Sequence, residues 1–359
     1  MHGTPPLPEQ MEARHRRFLQ LADAELRRAL AVPNPSLARH YGMMHYHMGW
    51  VDEALQPAQV NTGKRVRSLL CLETCAALGG DPERALPATA ALELLHNFSL
   101  IHDDIEDDSE MRRGRTTVWT LWGVPQAINV GDGMFSVAHM AMEGLLARGV
   151  PAQQVLQAMR MFHETCVALT EGQFLDMDME TRLDVDLDLY LWMIRNKTAA
   201  LLGSSVALGA LLADQGVEMI AACRRFGEDV GMAFQIVDDI LGTWGDEAVT
   251  GKSTSSDIRE RKKTYMVALA LERLTREPGS PAAALAGRLA QLYGQPILSE
   301  AEIREALGIL EALNSRQQAE EAAAAYYDLA MGELRSVGLH QEAAPGLHWL
   351  AARLVRRSA

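Results

Sequence analysis

Cysteine is scarce in this chain: Cys71, Cys75, Cys166 and Cys223 are the only four among 359 residues. Dispersed thiols cannot build the disulfide framework of a small secreted domain. Cys71 and Cys75 share a helix face, but no second Cys pair and no nearby His completes a zinc pattern. They read as small buried hydrophobes in a reducing, cytoplasmic setting. Positive charge is also in deficit, with 34 Lys and Arg against 47 Asp and Glu and a formal net charge of −13. That balance argues against nucleic acid or an anionic membrane as the main partner. A phosphorylated small molecule stays open, because the local placement of Lys and Arg decides it. Long apolar runs are missing too. The longest uncharged stretch, Thr198 to Ala213, falls short of the roughly 20 residues that cross a bilayer, so no transmembrane segment is expected. Pro5, Pro6 and Pro8 precede a charged amphipathic stretch, which is not a signal-peptide pattern. Strand patterns are rare and no internal repeat is visible.

What is present is helix. Ala, Leu and Met dominate, apolar residues recur at helical spacing, and hydrophobic content is 48%. Helices are expected over Glu9 to Leu30, Lys64 to Leu78, Leu86 to Asp107, Gln126 to Leu146, Gln153 to Asp178, Leu187 to Ala213 and Glu218 to Leu241. Pro33-Asn34-Pro35 and Gly79-Gly80-Asp81-Pro82 close two of them. Arg112-Arg113-Gly114-Arg115 reads as a basic loop, and Ser299-Glu300-Ala301-Glu302 as a capping box. Thr243 to Lys263 is polar and glycine-containing, with Thr243 to Ser256 a candidate lid.

Two aspartate clusters lie far apart in the chain, each near the C-terminal end of an apolar helix. The first is Asp103-Asp104-Ile105-Glu106-Asp107-Asp108 and the second Asp238-Asp239-Ile240-Leu241-Gly242. Asp103 and Asp107 fall on one helix face. Carboxylates this close repel, and the negative end of the helix dipole worsens their position. A hard divalent cation relieves both, and Mg²⁺ is usually completed by water and substrate phosphates. A single Asp cluster is most often a solvated surface turn. Two clusters, with Arg112 and Arg113 after one and Gln235 and Lys252 around the other, favour a site for a diphosphate bridged by Mg²⁺.

The residues Leu92 to Val118 resemble the first aspartate-rich region of the trans-isoprenyl diphosphate synthases. Gly63-Lys64-Arg65-Val66-Arg67 is similar to that family's GKRxR element, and Glu171 to Asp176 to its GQxxD element. Lys197-Thr198 resembles its KT pair, and Phe234 to Asp239 its second aspartate-rich region. The five stand in family order over about residues 60–265. The resemblance implies an all-α fold, a single domain over 1–359 with antiparallel helices around a deep central cavity. It implies head-to-tail condensation of isopentenyl diphosphate with an allylic diphosphate by a homodimer. Asp103, Asp104 and Asp107 would hold two Mg²⁺, mainly through Asp103 and Asp107, and Asp238, supported by Asp239, a third. Arg112 would bind the allylic diphosphate. Lys64, Arg67, His96 and Arg113 would receive the isopentenyl diphosphate. Lys197, Lys252 and Lys262 would clamp the leaving group, with Thr198 and Gln235 turning oxygen dipoles to the allylic cation. The chain departs from the pattern at Gly242, where a third Asp is common, and at Thr62 and Ser68.

Product length is expected from the helix before the first cluster. Phe98 lies one turn below Asp103 as a floor, Ser99 leaves space and Leu95 lies deeper. The arrangement resembles the C20-forming type and implies geranylgeranyl diphosphate, with farnesyl and C25 products as alternatives. Other readings are weaker. Glu12-x-x-His15 and Glu93-x-x-His96 match di-iron spacing, but Arg14, Arg16 and Arg17 crowd Glu12. A terpene cyclase usually lacks the second Asp pair. A low-activity partner subunit of a heteromeric synthase would rest on Gly242 alone. His40, His45 and His47 are read as satisfied structural histidines rather than a zinc site.

Overall fold

The computed structural model describes residues 9–58, 60, 63–245 and 255–356. Its residues are almost all helical, and they group into two compact units.

One unit comprises the described residues of Pro6–His163 and Ser205–Ala221. It contains α1 (Glu9–Ala29), α2 (Ala38–His47), α3 (Val66–Ala77), α4 (Leu86–Glu106), α5 (Val118–Trp122) and α6 (Val124–Ala147). Pro87 and Pro125 sit in the first turns of α4 and α6, where a missing N–H costs nothing. The two helices pack along each other. Leu92, Leu94 and Leu95 of α4 and Val130, Met134 and Ala138 of α6 are wholly buried, which fixes which face of α4 is left for chemistry. The expected basic loop is a tight hairpin. Strand β1 (Met111–Arg112) pairs antiparallel with β2 (Arg115–Thr116). Arg113 and Gly114 both have positive φ, 54° and 75°, as a two-residue turn between right-twisted strands requires.

The other unit comprises the described residues of Glu164–Ser204 and Ala222–Ala359. The long helices α7 (Ala152–Glu180) and α10 (Val217–Trp244) contribute to it, with α8 (Leu187–Ile194) and α9 (Ala200–Leu212) between them. Between α8 and α9 the expected single helix widens into a π-turn over Arg195–Ala199. After α11 (Ser256–Arg259) come α12 (Tyr265–Arg276), α13 (Pro281–Tyr293), α14 (Glu300–Ala312), α15 (Ser315–Ser336) and α16 (Pro345–Val355). The core joins Tyr190, Met193, Met232, Ile236, Tyr265 and Met266. Ser299 and Glu302 form the expected reciprocal capping box at the start of α14.

No helix among the described residues is long and apolar enough to cross a membrane. All four cysteines are buried free thiols.

Candidate active site

The first aspartate cluster ends α4, and its members differ in environment. Asp107 is exposed, and its backbone N–H donates to the Asp103 carbonyl at 2.8 Å, so the two stand one turn apart. Asp104 points into the protein. It is 1% exposed and accepts from Arg112 Nε at 2.5 Å. Burial raises its pKa, and the Arg112 guanidinium opposes that rise. Asp104 thus anchors Arg112, while Asp103 and Asp107 form the outward pair.

Basic groups collect beside this helix end. Gly63 and Arg65 take left-handed conformations, with φ of 80° and 46°. Arg65 turns inward to Glu93 at 3.5 Å, while Lys64 stays exposed. Glu93 is itself buried and accepts from the Ser68 backbone N–H at 3.3 Å and hydroxyl at 3.4 Å. The Arg113 guanidinium lies over Gly63, 3.2 Å from where a side chain there would begin. Burial pushes Arg67 down to about 10, so it stays a cation at neutral pH. Burial, then Arg67, Arg113 and Arg112, hold His96 well below its ordinary value, leaving a neutral imidazole. Lys64, Arg67, His96 and Arg113 therefore belong to one locality of this unit. Arg65, Glu93 and His47 belong to it as well and were not singled out as site residues by the sequence. The di-iron spacings find other uses: Glu93 serves Arg65 and Ser68, and His15 pairs with Glu73 at 2.9 Å.

Toward the N-terminal side of α4, Leu95 is fully buried. Ser99 donates its hydroxyl proton to the His96 carbonyl at 2.9 Å. The Phe98 ring is partly open and is backed by Phe135 of α6 at 4.7 Å and His102 at 4.8 Å between centroids.

The second cluster lies on α10. Asp238 is exposed, but Asp239 is 2% exposed and accepts three hydrogen bonds. They come from Tyr190 Oη at 2.6 Å, the Tyr265 backbone N–H at 2.9 Å and Gln235 Nε2 at 3.0 Å. Burial, reinforced by Asp257, outweighs Lys262 and the Tyr190 and Tyr265 bonds and pushes Asp239 up to about 6. Gln235 Oε1 in turn accepts from the Thr198 hydroxyl at 2.8 Å. A continuous chain thus runs from Thr198 through Gln235 to Asp239.

The π-turn places Lys197 against Asp176 of α7, with Nζ 2.5 Å from Oδ2. Single π-turns are frequent at functional sites because they redirect one or two side chains. Gly172 makes this approach possible, since a Cβ there would lie 2.2 Å from the Lys197 backbone nitrogen. Burial opposes the Asp176 charge, but Lys262 and Lys197 overcome it and hold its pKa low. Burial likewise opposes the Lys262 charge, and Asp176, Asp239, Asp257 and Asp238 hold that ammonium far above the ordinary lysine range. Asp176 thus pairs with Lys197 and helps sustain the charge of Lys262.

Gly242, the departure in the second cluster, leaves no void. A Cβ there would lie 2.1 Å from Asp257 Oδ2, so the Asp257 carboxylate already fills that space. Lys252, Thr62 and most of the candidate lid (246–254) lie outside the described residues.

Among the described residues, no group of three or more His, Cys, Asp or Glu is placed to hold a metal with protein donors alone. The outward carboxylates Asp103, Asp107 and Asp238 suit a hard cation that takes its remaining oxygens from water and phosphate.

Residues 48–310 match the family model described as Polyprenyl synthetase. The chain is 37% identical to a (2E,6E)-farnesyl diphosphate synthase of Mycobacterium tuberculosis, over 100% of this chain and 98% of that protein. It is 42% identical to a geranylgeranyl diphosphate synthase of the same organism, over 70% of this chain and 73% of that one. Among solved structures, a polyprenyl synthetase from Streptomyces coelicolor superposes with a TM-score of 0.84 at 32% identity, covering 95% of this chain and 98% of its own. A geranylgeranyl pyrophosphate synthase from Corynebacterium glutamicum, complexed with isoprenyl diphosphate and magnesium, gives 0.78 at 27% identity, with 97% and 98% covered.

Proposed function

We propose, for a chain that belongs to the polyprenyl synthetase family, that it joins isopentenyl diphosphate to allylic diphosphates of C5 to C15 and delivers mainly geranylgeranyl diphosphate. Prenyl transfer itself follows from the family. The C20 product is our own reading, because the relatives include both farnesyl and geranylgeranyl synthases. One observation carries the site assignment. In each aspartate pair one member is buried and bonded to protein, Asp104 or Asp239, while Asp103, Asp107 and Asp238 reach the helix surface.

We assign two Mg²⁺ to Asp103 and Asp107 and a third to Asp238. When bound, the metal neutralises charge on the diphosphate and so eases its departure. Arg112, held by Asp104, receives the allylic diphosphate. Lys197, Lys262 and Lys252 take up its charge as the carbon–oxygen bond breaks and the electron pair leaves with the diphosphate. The Thr198–Gln235 pair offers oxygen dipoles to the allylic cation. Lys64, Arg67, His96 and Arg113 hold the isopentenyl diphosphate, whose double bond attacks that cation. The proton then lost passes to the departing diphosphate, so no dedicated base is required.

Phe98 sets the floor. Each further buried CH₂ contributes about 0.8 kcal/mol, so chains lengthen until a wall stops them. A homodimer in the cytoplasm is the remaining element of the reading. On α7, Val167, Phe174 and Met177 form one exposed apolar stripe at helical spacing, 45–65% exposed, which a second copy would cover.

The test is incubation of purified protein with Mg²⁺, isopentenyl diphosphate and C5, C10 or C15 starters, with products resolved by length. A dominant C20 alcohol after dephosphorylation is expected. Shorter or longer products would keep the reaction and overturn the floor. No elongation would overturn the catalytic reading and favour a partner subunit.

A further inference from the structure

His47 closes α2, and the structure fixes it more firmly than a loop histidine. Tyr46, its neighbour, donates its hydroxyl proton to the Thr116 carbonyl at 2.7 Å. Arg115 donates to the Tyr46 carbonyl at 2.7 Å and the Val51 carbonyl at 2.8 Å, and its guanidinium stacks 3.8 Å over the Tyr46 ring. The end of α2 is thereby bolted to the 111–116 hairpin. A single pocket is lined by Tyr46, His47, Asp104, Arg112 and Arg113 together with the second hairpin strand.

Among the atoms of this locality sealed without a partner, four donors stand against two acceptors, Asn97 Oδ1 and Asp104 Oδ2. His47 Nε2, Arg65 Nε and Nη2, and Arg67 Nε are sealed from solvent without a partner. Glu93 is engaged by Arg65 and Ser68, and Asp104 through Oδ1 by Arg112. A buried donor left unmatched is costly, so several together mark a place for a ligand rich in acceptor oxygens. The other two histidines of the segment contrast with His47. His45 Nε2 meets the Leu30 carbonyl at 2.9 Å, and His40 Nδ1 meets Asn129 at 3.5 Å. Burial, followed by Arg113, Arg112 and Arg65, keeps His47 neutral against the opposing pull of the nearby Asn97 side chain. A neutral imidazole there adds an N–H without adding to the repulsion among the guanidinium groups.

We propose that His47 is a further binding residue of the isopentenyl diphosphate pocket, donating from Nε2 to a diphosphate oxygen alongside Arg67, His96 and Arg113. This rests on the reading of that pocket given above. It assigns the contact to a residue outside the five sequence elements.

The test compares His47→Ala, His47→Asn and His47→Gln. The Gln amide N–H reaches about as far as Nε2, while the Asn amide stops short. One lost hydrogen bond to a charged group predicts a KM for isopentenyl diphosphate raised roughly tenfold in the Ala and Asn variants. The KM for the allylic substrate and kcat should stay within about twofold, and Gln should recover most of the loss. Calorimetric titration of isopentenyl diphosphate without allylic substrate should give the same order of affinities. That titration decides the role of His47 even if the wild type elongates nothing, in which case the catalytic reading fails separately. The proposal is overturned if Ala or Asn binds isopentenyl diphosphate as the wild type does, or if both KM values rise together. Should the Ala variant fail to fold, equal affinity of the Asn and Gln variants overturns it as well.

Discussion

An aspartate introduced at position 242 would collide with the carboxylate of Asp257, which already occupies that space. The family pattern suggests that Gly242→Asp would add a metal ligand; the packing indicates that it would expel Asp257 and move the Lys262 segment. We expect Gly242→Asp to cut kcat at least about tenfold, as a shift of about 1 Å at a catalytic group does, and an unchanged or raised kcat would show that the site accepts both carboxylates. Asp239 and Asp238 should also part company. Asp239→Asn replaces one of two accepting oxygens with an NH2 that faces a donor, Gln235 Nε2 or the Tyr190 and Tyr265 pair, and should lower stability by about 2 kcal/mol. Asp238→Asn should leave Tm nearly unchanged and weaken Mg²⁺ dependence instead, and thermal melts beside a Mg²⁺ titration of activity distinguish them. Away from the site, burial raises Asp229 to about 6 despite Arg195. A raised carboxylate means the folded state holds the proton more tightly, so this group's contribution is favourable below about pH 4 and is lost as pH rises through about 6. Asp229→Asn should flatten that decline by about 1 kcal/mol, after allowing for solvent screening of a half-buried group. The outward carboxylates were legible because motif spacing places them. The buried roles of Asp104 and Asp239 were not, since adjacent aspartates are chemically alike until a helix rotates one of them inward.

Helices were the most readable elements, because long amphipathic segments bounded by Pro, Gly or a capping box repeat one local rule many times. The departures are short and functional. The hairpin at 111–116 read as a loop because four ladder residues carry no alternation, and the Arg113-Gly114 turn was its one local sign. Gly114→Val forces a β-branched residue to φ near 75° and should destabilise by about 1–2 kcal/mol. Both KM values should rise with it, since Arg112 and Arg113 ride on the same turn. The π-turn at Arg195–Ala199 gave no pattern, because a single extra residue barely disturbs helical periodicity. Gly172→Ala drives a methyl into the Lys197 backbone and should cost about 2 kcal/mol, with a matching fall in Tm and activity. A fully stable and active Gly172→Ala enzyme would mean that α7 and the π-turn slide apart freely.

At the scale of the whole molecule, composition identified an acidic, all-helical chain without disulfides, and each unit has the core that 48% hydrophobic content allows. Composition could not locate the apolar stripe on α7, because exposure is decided only when every other helix has been placed. Val167→Glu with Phe174→Glu should convert a dimer to monomers in sedimentation experiments without lowering helix content. A wild type that sediments as a monomer would leave that stripe for another partner.

The crowding at Gly242 also constrains how this sequence can change. Positions 242 and 257 behave as one site shared by two residues, so their substitutions are not independent. Bulk can enter at 242 only after Asp257 has been shortened, and the reverse order passes through an impaired intermediate. Gly242→Ala combined with Asp257→Gly should therefore be closer to wild-type stability than Gly242→Ala alone. As long as Asp257 keeps its carboxylate, glycine is the residue that position 242 accepts without displacement.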